Sequence, residues 1–159
     1  MNITFLYLGA PTERFYREAL DEYEKRLGRF CRFNEKCLKP EPLSANPGEK
    51  EIRRALAAEK AKITAALPKG SYKIALCIEG KNLSSEELAE VMERLPERGT
   101  SDIAFIIGSS YGLDESFKKE CDMRLSMSRM TFAHSLAGVM LVEQIYRAFA
   151  IINGDKYHK

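Results

Sequence analysis

Asp102-Ile103-Ala104-Phe105-Ile106-Ile107 is the stretch that most constrains this chain. It is apolar at successive positions, so as a strand it must be covered on both faces. That is the signature of a central strand in a parallel sheet, where helices lie on either side. Weaker strands precede it. Residues 2–9 run apolar to Gly9, residues 31–39 carry a looser pattern, and Tyr72-Lys73-Ile74-Ala75-Leu76-Cys77-Ile78 is a good strand that should end at Glu79-Gly80-Lys81. Met123-Arg124-Leu125-Ser126 is a short last strand.

Helical stretches fill the gaps. Pro11-Thr12 should open the first helix, with Phe15, Ala19, Tyr23 and Leu27 at helical spacing and Gly28 as its stop. A charged helix spans about 49–67, its sparse apolar residues Ile52, Leu56, Ile63 and Leu67 leaving most of it solvated. Ser84 with Glu87 fits a capping box for the next helix, which Pro96 should close. Leu113-Asp114 starts a short helix, and the last helix runs from about Ser135 to Ile152 before Asn153-Gly154. Strand and helix alternate throughout, so the expected fold is α/β: a single open, mainly parallel sheet domain over residues 1–159. Pro40, Pro42, Pro47 and Gly48 mark a loop within it.

Of 159 residues, 25 are Lys or Arg and 23 are Asp or Glu, a net charge of +2. That permits contact with nucleic acid without the dense basic patch of a strong electrostatic binder. The first eight residues carry no basic leader, and no apolar run approaches the roughly 20 residues that cross a bilayer. Cys31, Cys37, Cys77 and Cys121 form no CxxC pair, which fits reduced, partly buried thiols in a cytoplasmic protein without a metal.

Four stretches in the second half can carry chemistry. Gly108-Ser109-Ser110-Tyr111-Gly112 follows the central strand; its glycines either let backbone approach a ligand or serve a tight turn. It is neither a Walker A loop nor a GxGxxG loop. Residues 126–132 alternate polar and apolar and can line an adenine pocket or be an ordinary loop. His134 is a base, a phosphate donor or a substitute helix cap. Tyr157-His158-Lys159 matters only if the tail folds over a site. The last helix is apolar nearly all round, which calls for a second partner and suggests a homodimer. Glu143 and Arg147 stand four apart, the spacing of a helix-surface ion pair.

Taken in order and spacing, these pieces resemble the ribosomal RNA large subunit methyltransferase H family, of the SPOUT class. The likeness includes the opening strand to Gly9, Glu22-Tyr23-Glu24-Lys25-Arg26-Leu27, Ile78-Glu79-Gly80-Lys81 with Leu83-Ser84-Ser85, and Ile106-Ile107-Gly108. It continues through Leu125-Ser126, Met130-Thr131-Phe132, His134, Glu143-Gln144-Ile145-Tyr146-Arg147-Ala148 and Tyr157-His158-Lys159. The resemblance implies a C-terminal trefoil knot (the α-β knot) and a homodimer. It implies an S-adenosyl-L-methionine-dependent enzyme that methylates N3 of a pseudouridine in 23S ribosomal RNA, within the assembled ribosome. A SPOUT enzyme of another RNA such as tRNA, or a non-catalytic RNA-binding module, are the alternatives. By family pattern the cofactor touches Leu76, Gly108, Met127, Ser128, Arg129, Met130, Thr131 and Phe132, while His134, Tyr157 and His158 are the catalytic candidates. The chain departs from the family pattern in three places. Ala133 stands for the usual proline, Ser109 for a second glycine, and Ala137-Gly138-Val139 for a stretch holding an arginine.

Overall fold

A computed structural model describes residues 1–158; Lys159 lies outside the described residues. Its sheet is five-stranded, in the order β2-β1-β4-β3-β5. The strands are β1 (Asn2–Leu8), β2 (Arg32–Leu38), β3 (Tyr72–Asn82), β4 (Asp102–Ile107) and β5 (Met123–Ser126). The helices between them are α1 (Arg14–Leu27), α2 (Glu49–Ala66), α3 (Ser85–Glu97), α4 (Glu115–Glu120) and α5 (His134–Ile152). Every pairing is parallel, and β4 holds the middle place its apolar run demands.

The period of two along each strand divides the core. Ile3, Phe5 and Tyr7 of β1 join Ile103, Phe105 and Ile107 of β4 on one face, under Leu20 and Leu27 of α1, Leu88 and Met92 of α3, and Leu141, Ile145 and Phe149 of α5. Leu6 and Leu8 join Ala104 and Ile106 on the other, under Ile63 of α2, Leu113 and Phe117. By length and composition alone α5 would pass for a membrane span. Its buried side chains instead complete the first of these clusters.

Four boundaries move from their expected places. Pro11-Thr12 stays outside α1, which begins at Arg14 after an extended Glu13. Pro96 lies within the last turn of α3, where Gly99 N donates to its carbonyl at 2.9 Å. His134 is the first residue of α5 and does not precede it. The largest change is in β3, which does not end at Glu79-Gly80-Lys81. It pairs with β5 at Ile74–Leu76, bulges, and pairs again at Lys81–Asn82. Gly80 makes the second pairing possible, because a Cβ there would lie 2.6 Å from the Leu125 carbonyl carbon. The glycine that reads as a turn in sequence is a close backbone approach in the fold. The capping box is present, Glu87 N donating to Ser84 Oγ at 3.1 Å and Ser84 N to Glu87 Oε2 at 2.7 Å. Cys37 is exposed, and the other three cysteines are half-buried.

Candidate functional site

The sheet changes direction of winding between β1 and β4, the place where open α/β sheets hold ligands beyond their carboxyl ends. Gly9, with φ at 93°, ends β1 there, and Gly108 ends β4. Gly108 is buried, and its own φ is not positive. It is a glycine because a Cβ would fall onto the backbone of Gly112 and Leu113. Gly112 N donates to Ser109 O at 2.8 Å and Gly112 takes φ at 83°, so the segment is a tight turn. Ser109 has no positive φ and needs no glycine. Its hydroxyl donates to Glu59 Oε2 at 2.9 Å.

On the strand next to β4, Leu76 of β3 sits half-buried opposite Leu125 of β5, one place beyond the Ala75–Ile106 pair. The loop after β5 is folded by local bonds: Ser126 Oγ donates to Ser128 O at 3.0 Å and Met130 N to Ser128 Oγ at 3.0 Å. Asn82 Nδ2 ties it to β3 through Ser126 O at 3.0 Å. Met127, Ser128 and Phe132 are half-buried, whereas Arg129, Met130 and Thr131 are exposed. The predicted cofactor residues therefore occupy three adjacent strands: the ends of β4 and β5 and, at Leu76, the point where β3 bulges.

His134 packs at the end of β1, in a cavity of about 10 Å³ lined by Phe5, Tyr7, Gly9, Pro11, Ile107 and Gly138 among others. Burial holds its imidazole below the usual histidine range, against an opposing pull from the Leu8 and Gly9 backbone. Gly138 is buried on the same side, and a Cβ there would stand 3.4 Å from Phe5 Cζ. Ala133 offers no side-chain cap to α5.

The tail lies elsewhere. A cavity of about 750 Å³ opens between α1, α3, the end of β5 and the middle of α5, and of the predicted site residues Met127 and Tyr157 line it. Tyr157 OH donates to Glu143 Oε1 at 3.0 Å, and Arg147 Nη2 reaches the same oxygen at 2.6 Å. The Arg147 guanidinium also sits 4.7 Å from the centroid of the Tyr157 ring. Burial first, then hydrogen bonds with Tyr23 and Glu143, push the Tyr157 phenol well above its ordinary range. His158 Nε2 is 2.7 Å from Glu86 Oε1, and its Nδ1 is 3.4 Å from Arg147 Nη1. These partners favour the tautomer with the proton on Nε2. Because Glu143 is nine places beyond His134, the two candidate groups are separated by an axial rise of about 14 Å along α5.

Sequence reasoning overlooked Glu59. The signal was present: Ala55, Glu59 and Ile63 fall at four-residue spacing and form the buried stripe of α2. Among the described residues no three His, Cys, Asp or Glu side chains gather as a metal site.

Comparison with known proteins decides the family. A model described as "Predicted SPOUT methyltransferase" matches residues 1–158. The chain belongs to the SPOUT methyltransferase family. It is 43% identical over 159 residues, the whole of both chains, to "Ribosomal RNA large subunit methyltransferase H" of Clostridioides difficile (strain 630). A relative in Methanococcus maripaludis (strain C5 / ATCC BAA-1333), "Putative ribosomal RNA large subunit methyltransferase H", is 42% identical, again over the whole of both chains. In fold the chain is similar to a probable methyltransferase from Bordetella pertussis Tohama I, with TM-score 0.55 and 15% identity over 92% of this chain and 95% of that one.

Proposed function

We propose that this SPOUT-family chain is an S-adenosyl-L-methionine-dependent methyltransferase of N3 of a pseudouridine in 23S ribosomal RNA. It acts in the cytoplasm as a homodimer, on RNA presented by the assembled ribosome, with residues 1–159 as one catalytic domain. The observation that carries the reading is the 43% identity, over the full length of both chains, to a relative named "Ribosomal RNA large subunit methyltransferase H". The net charge of +2 suits a substrate whose other contacts come from the ribosome. A C-terminal trefoil knot is part of the proposal. Two close backbone approaches, Gly108 on Gly112 and Gly80 on Leu125, lie along its expected path.

The strand-end loops fit the cofactor. Leu76, Gly108 and the segment from Met127 to Phe132 (Met127, Ser128, Arg129, Met130, Thr131, Phe132) present backbone groups and half-buried apolar side chains in one row, as an adenine edge requires. When bound, S-adenosyl-L-methionine supplies a methyl group activated by its sulfonium. The protein's own task is to place the base in line and relieve N3 of its proton. His134, held neutral by burial, is suited to accept a hydrogen bond or a proton at a ring nitrogen. Tyr157, whose phenol is held protonated, is a donor for a carbonyl that gains negative charge. His158 joins it from the tail. The tail's distance from His134 within one chain is the reason for a second copy: a partner's tail would bring Tyr157 and His158 to this chain's strand-end loops. Val139 and Met140, which line the cavity on α5, and the exposed Leu136 offer that copy an apolar face.

Titration calorimetry with S-adenosyl-L-methionine, followed by methyl transfer to ribosomes, free 23S RNA and tRNA, tests the reading. Saturable binding and transfer to ribosomes are expected. Absence of binding at millimolar cofactor ends the enzyme reading, and transfer to tRNA alone reassigns the substrate.

A further inference from the structure

Glu59 is a carboxyl buried to 3% exposure on a helix that the strand-end chemistry does not otherwise use. It lies one turn from Ile63, which packs in the apolar cluster of Leu6, Leu8, Ile106 and Leu113. A carboxyl is a costly occupant of such a place unless its oxygens are bonded. Both are. Oε1 accepts from Glu41 N at 2.9 Å and Oε2 from Ser109 Oγ at 2.9 Å. The first donor belongs to the loop after β2, and the second to the loop after β4. The loop after β1 adjoins them, since a Cβ on Gly9 would stand 4.0 Å from Pro40 Cγ. The next residue of α2 braces α4 and its cap: Lys60 Nζ donates to Ser116 Oγ at 2.8 Å and lies 2.6 Å from Glu120 Oε1.

We propose that Glu59 is a positioning residue for the cofactor loop, holding the Gly108–Gly112 turn in its binding shape through the Ser109 hydroxyl. The inference rests on the reading of that turn as part of the S-adenosyl-L-methionine site. It gives the serine at position 109 a purpose. A glycine there would leave Glu59 Oε2 without this donor, whereas Ser109 anchors the turn to α2. An apolar side chain at position 59 would fill the space at lower desolvation cost but could not hold two loops at once.

Four variants and two measurements test it. Ser109→Ala is expected to weaken cofactor binding about tenfold, the effect of losing one buried hydrogen bond, and Glu59→Leu, which leaves the Ser109 hydroxyl no partner on α2, at least as much. Ser109→Thr, which keeps the hydroxyl, is expected to bind within about twofold of the parent. The double variant Ser109→Ala/Glu59→Leu should be no weaker than Glu59→Leu alone, because Ser109 then has no partner left to lose. Amide exchange at residues 109–113 without cofactor should quicken in Ser109→Ala by more than it does along the sheet, where only the loss of a few degrees in melting temperature from the unbonded Glu59 oxygen is felt. A parent-like Kd in Ser109→Ala overturns the proposal, as does a Ser109→Thr variant as weak as the alanine. If the parent protein binds no cofactor at all, the enzyme reading has failed, and the positioning role falls with it. A normal parent with indifferent variants defeats only the role of Glu59.

Discussion

The two ends of α5 are built on different physics. At its first turn, His134 meets strand ends whose shape is set by backbone, Gly9 with positive φ and Gly108 pressed on Gly112, with the buried side-chain bond from Ser109 to Glu59 behind the second. Past its middle, beyond Asp155, whose N donates to Ala150 O at 2.8 Å, the tail is docked by the side chains of Glu143 and Arg147 and of Glu86 on α3. The first region cannot shift without disturbing the sheet. The second can release Tyr157 and His158 by exchanging a few hydrogen bonds with water, since partly exposed ion pairs are worth little net. A site that needs both regions thus combines a fixed cradle with a movable arm.

The sharpest way to break this contrast is to load the rigid end. Gly108→Ala places a Cβ on the backbone of Gly112 and Leu113, which no rotamer can relieve. It is expected to cost about 3 kcal/mol, read as a drop of about 10 °C in melting temperature. A melting point within a degree or two of the parent would mean that the turn is as pliable as the tail. The matching change at the movable end is Tyr157→Phe, which deletes the donor to Glu143 and keeps the ring beneath Arg147. Methyl transfer should fall by about a hundredfold with cofactor affinity intact, and the melting temperature should move by no more than about 3 °C. Equal loss of affinity and turnover would place Tyr157 in the cofactor site.

The same division explains what the sequence made legible. Period-two and period-3.6 patterns located every strand and helix, because core burial writes itself into hydrophobic spacing; β4 even disclosed its central place. Backbone proximity writes nothing comparable. Gly80 has the composition of a turn, and only the partner strand beside it reveals a bulge. Glu59 sits in phase with Ala55 and Ile63, yet a glutamate on a charged helix reads as solvated until Ser109 and Glu41 are brought to it by residues far along the chain. The predicted cofactor residues did gather on adjacent strands, with His134 at the neighbouring end of β1. The tail lies apart from His134, with Tyr157 reaching only Met127 of the predicted loop across the cavity, since the path of a tail after its last helix depends on side-chain bonds that no periodicity encodes.

A smaller effect separates the regions by pH. Burial lowers the His134 pKa, so the fold favours the neutral ring. Its stabilising contribution is complete above the ordinary histidine range near pH 6.5 and is lost as pH falls through the lowered folded value. Melting temperature should therefore decline between pH 7 and pH 5, and His134→Gln should flatten that decline. An unchanged slope in the variant would mean that the imidazole is not buried at the end of β1.

The smallest effect belongs to the outermost contact of the tail. Hydrogen bonding with its own backbone, with Ser84 and with His158 holds Glu86 down to about 2, so its part of the pH profile lies between the ordinary glutamate range and about pH 2. Glu86 is exposed and its bond to His158 is screened, so Glu86→Gln should leave melting at neutral pH unaltered. What it should alter is the tail: amide exchange at Tyr157 and His158 quickens at low salt, and the difference from the parent narrows as salt is raised. If exchange there were unaffected at any ionic strength, the tail would be held by Glu143 and Arg147 without help from α3. The movable arm would then hinge nearer to Asp155, whose carboxylate Arg29 grips at 2.5 Å.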